Sequence, residues 1–347
     1  MAARGTACGF EVAAIERRIS ELWRMEGSRD NAVMRACTLN LVVACDPGDV
    51  GVSEAVAVFS EQRPCRAIVV IADGASGESS LQAWVSAHCH LGAGRRQVCS
   101  EQITLEALGA SAELLPETVL QVLCGDLPVH TWWRRTELER DPLFRPLAGL
   151  SDRFLADSSA LRDPGASLSA LASLAADPLF RGHVSDLTWA RLEPWRNMIA
   201  AAFDPPSTRP LLDHPAAIAV RAGGPRASSG LTAAAAYLAG WFASRLSWRP
   251  GPGAIRLDHD PRLGRGEVGA VRFTAHAGRV ATLVAERGDP TADLVRVFVE
   301  MEGSCPLPRV LKLPGRDDRA LLCEEADRSG GDPVFESALT SAAGLAA

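Results

Sequence analysis

Two histidines flank a cysteine at residues 88 to 90, within a segment whose composition predicts a β-strand. Successive side chains of a strand point to opposite faces, so His88 and His90 would project together while Cys89 points away. Imidazole nitrogens bind zinc, but a zinc site needs three or four protein ligands. The candidates for a further ligand are Glu101, Cys99 and His130. His88 and His90 are thus the candidates for a metal site, and the favoured alternative is a structural or interface role.

A glycine- and serine-rich segment, Gly223-Gly224 followed by Ser228-Ser229-Gly230, precedes a predicted helix over residues 229–246. Backbone N–H groups at such a position can bind an anion. The segment lacks the lysine and the spacing of a phosphate-binding loop, and no G-x-G-x-x-G follows the first predicted strand. A capped helix is the favoured interpretation, and we expect no nucleotide cofactor.

Catalytic nucleophiles and acid–base pairs are not evident in the sequence. The G-x-S-x-G turn of lipase-type enzymes is missing. Carboxylates such as Glu101, Asp126 and Asp186 show no spacing that would pair them as acid and base, so we expect caps, turns and ion pairs. The sequence therefore predicts no catalytic residue.

The chain has nine cysteines, none of them spaced as C-x-x-C. Cys37, Cys45 and Cys65 lie beside apolar runs, where a free thiol packs as a small hydrophobic group. We therefore expect most of the cysteines to be reduced, with a redox role left open.

Tryptophan is the unusual feature of the composition, with eight Trp and one Tyr. Several tryptophans adjoin arginines, and these two residue types dominate binding hot spots. The residues concerned are Trp132, Trp133, Arg134, Trp189, Arg191, Trp195 and Arg196. They predict either a protein-binding surface or core and cation–π packing between domains, and both interpretations stay open.

Length and charge exclude several classes of protein. The 347 residues suffice for two domains, and the net charge of −6 argues against nucleic acid as a partner. Lys312 is the only lysine, which we attribute to codon bias rather than to a recognition surface. No apolar run is long enough to span a membrane, and charged residues interrupt the N-terminal hydrophobic positions where a secretory signal would lie, so we expect a cytoplasmic protein.

Strand and helix patterns alternate after an amphipathic helix predicted over residues 10–25. They predict an α/β domain over residues 1–180, Rossmann-like or flavodoxin-like, in which a hairpin of residues 83–90 and 98–106 makes the sheet mixed. Three later antiparallel strands and a long alanine-rich helix predict a smaller α+β domain over residues 181–347.

An ordered series of segments resembles the OpcA family, the glucose-6-phosphate dehydrogenase assembly proteins. The segments are RACTLNL at residues 35–41, RPCRAI at 63–68, VCSEQITL at 98–105, GDLPV at 125–129 with Trp132-Trp133, and Asp186-Leu187 with Trp189-Ala190-Arg191-Leu192 and Trp195-Arg196. The resemblance covers roughly the first 205 residues well and the remainder by its α/β outline.

This resemblance implies a non-catalytic, two-domain assembly factor that binds glucose-6-phosphate dehydrogenase, promotes its active oligomer and activates it in the oxidative pentose phosphate pathway. It also raises the possibility of thiol control through late cysteines, here Cys305 and Cys323. The alternative functions are those of a sugar-phosphate-binding protein and of a metal-binding α/β regulatory protein.

Overall fold

A computed structural model describes residues 12–27, 33–91, 97–227, 230–289, 293–301 and 307–346. The helices of these residues are α1 Val12–Gly27, α2 Val52–Gln62, α3 Leu115–Val122, α4 Phe144–Gly149, α5 Pro164–Ala175, α6 Leu187–Arg191, α7 Glu193–Ala201, α8 Ala233–Arg245, α9 Asp318–Asp327 and α10 Pro333–Ala346, with 3-10 helices over Gly109–Leu114 and Arg209–Asp213. Among the described residues, no helix is both long enough and apolar enough to cross a bilayer.

The strands form two mixed sheets. They are β1 Val33–Arg35, β2 Leu39–Cys45, β3 Cys65–Asp73, β4 Ser80–Leu91, β5 Gln97–Leu108, β6 Val129–Trp133, β7 Arg153–Ala156, β8 His183–Asp186, β9 Pro215–Ala222, β10 Ile255–His259, β11 Val268–His276, β12 Val280–Arg287, β13 Leu294–Met301 and β14 Arg309–Lys312. The expected α/β class with mixed sheets is confirmed.

The first sheet has the strand order β1-β5-β3-β2-β6-β7-β8, with β4 paired to β5. Each pairing along this order is parallel, and only β4 runs antiparallel to its neighbour. The predicted hairpin is confirmed as β4 and β5, and it makes the sheet mixed as expected.

Helices cover both faces of the first sheet, which explains why its central strands are continuously apolar. Leu41 and Val43 of β2 pack into one core with α2 and α9. Val42 and Ala44 point the other way, into the core that contains Ile15 and other residues of α1, α3 and α5. The predicted N-terminal amphipathic helix is thus confirmed, and it docks on this sheet.

Helix α9 returns from the second sheet to the first. Its Leu322, Cys323 and Ala326 are buried against α2. Ion pairs join its two ends to the same helix, Arg319 to Glu54 and Asp327 to Arg63. Neither α9 nor β8 was predicted, and both lie after residue 180 while packing with the first sheet; the division of the chain at that residue stays a prediction.

The second sheet has the order β10-β9-β11-β12-β13-β14, parallel at β9 and β10 and antiparallel elsewhere. Helix α8 packs on β9 and β10, and α10 packs on α8. The last contact is close, because a Cβ atom added at Gly240 would lie 2.5 Å from the carbonyl oxygen of Ala338. The three predicted antiparallel strands are confirmed as β11, β12 and β13.

Gly51 is the N-cap of α2. The apolar stretch after Asp186 forms two helices, since a new helix, α7, begins at Glu193 with Pro194 in its first turn. The predicted start of the alanine-rich helix was wrong. The alanine-rich helix begins at Ala233, where the Thr232 side chain accepts a hydrogen bond from Ala235, while Ser228 and Ser229 lie outside the described residues.

Candidate interface at the carboxyl edge of the first sheet

The strand order of the first sheet reverses between β2 and β6, the position where open α/β sheets place their ligands. Arg134 follows β6 directly, and its backbone N–H donates to Ala44 at 2.7 Å. Its guanidinium donates two hydrogen bonds to Asp49, at 2.8 and 2.9 Å, and lies 4.6 Å from the ring centre of Trp132. Arg134 is therefore held in one orientation, with about a quarter of its side chain exposed.

Arg135 lies at the same edge and binds the carboxyl ends of β2 and β3. Its Nη1 donates to the carbonyl oxygens of Cys45 and Ala72, at 3.1 and 3.0 Å, and its Nε donates to Asp141. At this edge, Asp46 accepts hydrogen bonds from the backbone N–H and the hydroxyl of Thr136. The polar groups that a ligand would use here bond instead to one another.

A second polar group lies at the carboxyl ends of β7 and β8, beside the second sheet. Asp186 is fully buried and accepts hydrogen bonds from the Tyr237 hydroxyl at 2.7 Å and the Thr188 backbone N–H at 2.8 Å. Burial, together with repulsion from Asp157, raises the pKa of Asp186 to about 6. Tyr237 belongs to α8, so this hydrogen bond joins the first sheet to the helix that packs on the second sheet.

Arg191 connects three segments that are distant in sequence. Its Nη2 contacts Asp157 at 3.1 Å and Asp318 at 2.7 Å. Arg265 reaches the same two carboxylates at 3.7 and 3.3 Å. The two arginines balance the two aspartates, so this network joins α6, α9, the end of β7 and the β10–β11 connection without an excess charge.

Arg196 stacks on Trp189, with the guanidinium carbon 3.4 Å from the ring centre. It also donates to the Trp189 carbonyl oxygen at 2.6 Å. Burial lowers the pKa of Arg196 to about 10. The Trp189 ring in turn packs against Tyr237 and Phe335, so the stacked arginine covers an aromatic cluster.

The four tryptophans of the predicted interface are buried. Trp132, Trp133, Trp189 and Trp195 are 4%, 2%, 4% and 3% exposed. Trp132 and Trp133 point to opposite faces of β6 and enter separate cores. The structure thus supports the core and cation–π interpretation of these rings, and their predicted part in partner binding stays a prediction.

A cleft of about 220 Å³ lies next to this region, between helices α6 and α7 and the second sheet. Arg191, Arg287 and Arg316 line it together with apolar side chains that include Trp195 and Leu313. Arg316 is bound to Glu193 at 2.5 Å and to the Ala190 carbonyl oxygen at 3.2 Å. The cleft is therefore polar, and acidic side chains already accompany its guanidinium groups.

The proposed metal ligands are not brought together. His88 Nε2 lies 2.7 Å from the side-chain oxygen of Gln102. Cys99 forms a disulfide with Cys89 and has no free thiolate to offer. Glu101 pairs in register with Ala87, which puts its side chain on the opposite face of the hairpin from His88. Within the described residues, no three His, Cys, Asp or Glu side chains are grouped to hold a metal ion.

The cysteines are mostly free thiols in the described part of the chain, as expected, but the Cys89–Cys99 disulfide was not predicted. The two residues are direct partners across the hairpin. Of the late cysteines, Cys305 lies outside the described residues. Cys323 is buried against α2, and burial raises the pKa of its thiol.

The sequence pointed to Arg134, Arg191 and Arg196, but not to Arg135 and Arg265 or to the carboxylates that bind these arginines. These carboxylates are distant in sequence from the arginines that they bind. Arg134 binds Asp49 across 85 positions, and Arg191 binds Asp157 and Asp318 across 34 and 127 positions. Only Asp186 carried a signal, because it stands two residues before Thr188 at a helix start and caps that helix.

Two family models match consecutive parts of the chain. One, described as the glucose-6-phosphate dehydrogenase subunit N-terminal domain, matches residues 56–173. The other, described as the C-terminal domain of the same subunit, matches residues 182–339. The chain belongs to the OpcA family. Membership confirms the resemblance seen in the sequence and extends it through the second sheet.

Three relatives are named "Putative OxPP cycle protein OpcA". The chain is 28% identical to the protein of Synechococcus elongatus over 81% of its length, 27% to that of Synechocystis sp. over 85%, and 28% to that of Nostoc punctiforme over 80%. It spans 68%, 59% and 64% of the respective relatives. These relatives are therefore longer proteins than this chain.

Proposed function

We propose that this protein is a non-catalytic assembly factor that binds glucose-6-phosphate dehydrogenase and activates it in the oxidative pentose phosphate pathway. The observation that carries the proposal is the consecutive match to two domains described as those of a glucose-6-phosphate dehydrogenase subunit. The carboxyl edge of the first sheet supports the non-catalytic part of the proposal. Arg134, Arg135 and Asp46 lie where a substrate would bind in such a sheet, but they are bonded to other groups of the protein. Residence in the cytoplasm is part of the same proposal.

Activation requires the protein to bind the active form of the dehydrogenase more tightly than its resting form, and the gain in activity is limited by that difference in affinity. A rigid surface suits this task, since it loses little conformational entropy on binding. Arg134 and Arg196 are each held against a buried tryptophan. We propose that the tryptophans orient these arginines toward the partner.

The architecture we propose is a Rossmann-like N-terminal domain followed by a smaller α+β domain from residue 181. The order β5-β3-β2-β6-β7-β8 supports the first part, since it reproduces the arrangement of two mononucleotide-binding halves about a central pair of strands. In this proposal β8 and α9 are elements of the second domain that complete the first sheet.

A second candidate function is the binding of a sugar phosphate in the cleft between α7 and the second sheet. The observation in its favour is the set of guanidinium groups of Arg191, Arg287 and Arg316 on the cleft wall. Turnover of sugar phosphates by the isolated protein, or saturable binding lost in Arg287→Met, would favour this function over assembly.

The decisive experiment uses glucose-6-phosphate dehydrogenase purified from the same source. Its turnover and Michaelis constant are measured with and without this protein, and the mixture is passed over a sizing column with light scattering. We expect co-elution, a larger dehydrogenase oligomer and either higher turnover or a lower Michaelis constant. No co-elution together with unchanged kinetics would refute the proposal.

A further inference from the structure

In the part of the chain that the structure describes, the edge strand β14 of the second sheet has no strand paired to its outer side. It pairs with β13 through Leu294, Val295, Arg296 and Val297 and ends the strand order of the sheet. All four of its residues are exposed. An edge strand presents backbone N–H and C=O groups on its free side, which can accept a strand from another chain.

Apolar side chains concentrate at this edge. Val310 and Leu311 are 58% and 40% exposed and, as consecutive residues of a strand, lie on opposite faces of the sheet. Leu294, 50% exposed, pairs in register with Lys312 and so lies on the same face as Val310. Leu307, just before the strand, is 93% exposed. Exposed apolar side chains that are neighbours in space mark a binding surface more often than single ones do. The edge therefore combines free backbone hydrogen-bonding groups with apolar side chains whose burial by a partner would be favourable.

Two cations bracket this apolar pair. Arg309 precedes Val310, and Lys312, the only lysine of the sequence, follows Leu311. Neither cation forms an ion pair with another residue in the part of the chain that the structure describes. A partner strand with acidic residues opposite these positions would pair with both charges.

A second copy of this chain fits the edge poorly. In a two-fold antiparallel pairing of β14 with itself, Arg309 of each copy would stand opposite Lys312 of the other. Like charges directly opposite one another destabilise a strand pair. Pro308 and Pro314 lie on either side of the strand and prevent a longer pairing, because proline donates no backbone hydrogen bond.

We propose that the open edge of β14 receives an extended segment of the partner dehydrogenase in which two apolar residues lie between acidic ones. The inference rests on the proposed function for the identity of the partner. The backbone of β14 supplies the affinity, and the two cations select the acidic flanks. The edge thus adds a docking strand that is separate from the arginines at the carboxyl edge of the first sheet.

The single lysine allows a direct test. The protein, alone and in the presence of the dehydrogenase, is treated with an amine-acylating reagent, and acylation of Lys312 is followed by mass spectrometry with the N-terminal amine as internal reference. We expect Lys312 to react about fivefold or more slowly in the complex, because the partner covers its ammonium group. Slower reaction at higher concentrations of this protein alone would overturn the proposal in favour of self-association.

Val310→Asp gives an independent measurement, with Val280→Asp as the matched control. Val280 is 52% exposed on the same sheet but starts β12, two strands away from β14. We expect Val310→Asp to weaken binding of the dehydrogenase about tenfold and Val280→Asp to leave it unchanged. If the wild-type proteins do not associate, the proposed function fails; if they associate with Lys312 unprotected and both variants bind normally, only the docking strand is refuted.

Discussion

Arg66 and Glu101 form a buried ion pair between the neighbouring strands β3 and β5, with 2.5 Å between Arg66 Nε and Glu101 Oε1. Their side chains are 5% and 2% exposed. Arg66 also donates to the Val122 carbonyl oxygen at 2.8 Å and to Glu16 at 3.0 Å, and Trp23 donates to Glu101 at 3.0 Å. The pair therefore attaches α1 and α3 to the first sheet.

Replacing Arg66 by methionine leaves the carboxylate of Glu101 buried without its strongest partner. We expect the free energy of unfolding to fall by about 3 to 5 kcal/mol. Urea denaturation of the wild type and the variant measures the change. The control is Arg63→Met, which removes an exposed pair with Asp327 and is expected to cost less than about 1 kcal/mol. An equal decrease in the free energy of unfolding of the two variants would show that the buried ion pair stabilises the protein no more than the exposed one.

The raised pKa of Asp186 makes stability depend on pH. With a pKa of about 6 in the folded state, against an ordinary value of 3.8, Asp186 keeps a proton that the unfolded chain releases near pH 4. The contribution of Asp186 to stability is therefore greatest below pH 4 and falls as the pH rises toward 6, by about 3 kcal/mol. Asp186→Asn removes the ionisation and should remove this part of the fall.

Urea denaturation at pH 4, 5, 6 and 7 checks the difference between wild type and Asp186→Asn. Asp163→Asn is the control, since Asp163 is an exposed N-cap of α5 and asparagine caps a helix equally well. The control should follow the wild-type curve. Parallel curves for wild type and Asp186→Asn would contradict the assignment of the pH dependence to Asp186.

Gly266 has a left-handed backbone with φ of +73°, and an added Cβ would lie 2.8 Å from Arg191 Nη1 and 2.9 Å from Ser159 Oγ. We expect Gly266→Ala to destabilise the protein by about 3 kcal/mol, through backbone strain and displacement of Arg191. Gly278 has a similar φ of +75° and open space around it, so Gly278→Ala should cost about 1 kcal/mol. Thermal denaturation compares the two, and the reverse order would contradict the crowding at Arg191.

The Cys89–Cys99 disulfide joins residues ten positions apart. Closing a loop of this size is expected to contribute about 3 kcal/mol, so a reductant should lower the stability of the wild type by that amount. The Cys89→Ser, Cys99→Ser double variant should not respond to reductant. Thiol titration of the native protein provides a second measurement, and a wild-type stability that ignores reductant would argue that the two thiols are free.

Elements with a clear hydrophobic pattern could be predicted from the sequence, including the short strand β7, whereas elements with few apolar residues could not. The β4–β5 hairpin and the helix α1 have clear periods, and both were predicted. By contrast, β8 and β14 have four residues each, with one and two apolar side chains among them. Such strands form because a neighbouring strand offers hydrogen bonds, which local composition does not reveal.

The candidate interface shows the same limit. The pairing of tryptophan with arginine was visible along the chain, and it did point to Arg134 and Arg196. Burial of the rings follows from neighbours that come together only in the fold: Trp132 meets α9, and Trp189 meets Tyr237 of α8. Two adjacent tryptophans on one strand must point to opposite faces, so Trp132-Trp133 was in retrospect a signal for a sheet covered on both sides.

The return of α9 to the first sheet has a consequence for the order of events during synthesis. A ribosome delivers the N-terminal half first, and that half would ordinarily begin to fold as it emerges. Here the apolar groove beside Val56 and Phe59 is filled by Leu322 and Cys323 of α9, and the contact between Glu54 and Arg319 of the same two helices spans 265 positions. The nascent protein therefore exposes this apolar groove until α9 has been synthesised, and we expect chaperones to bind it during that interval.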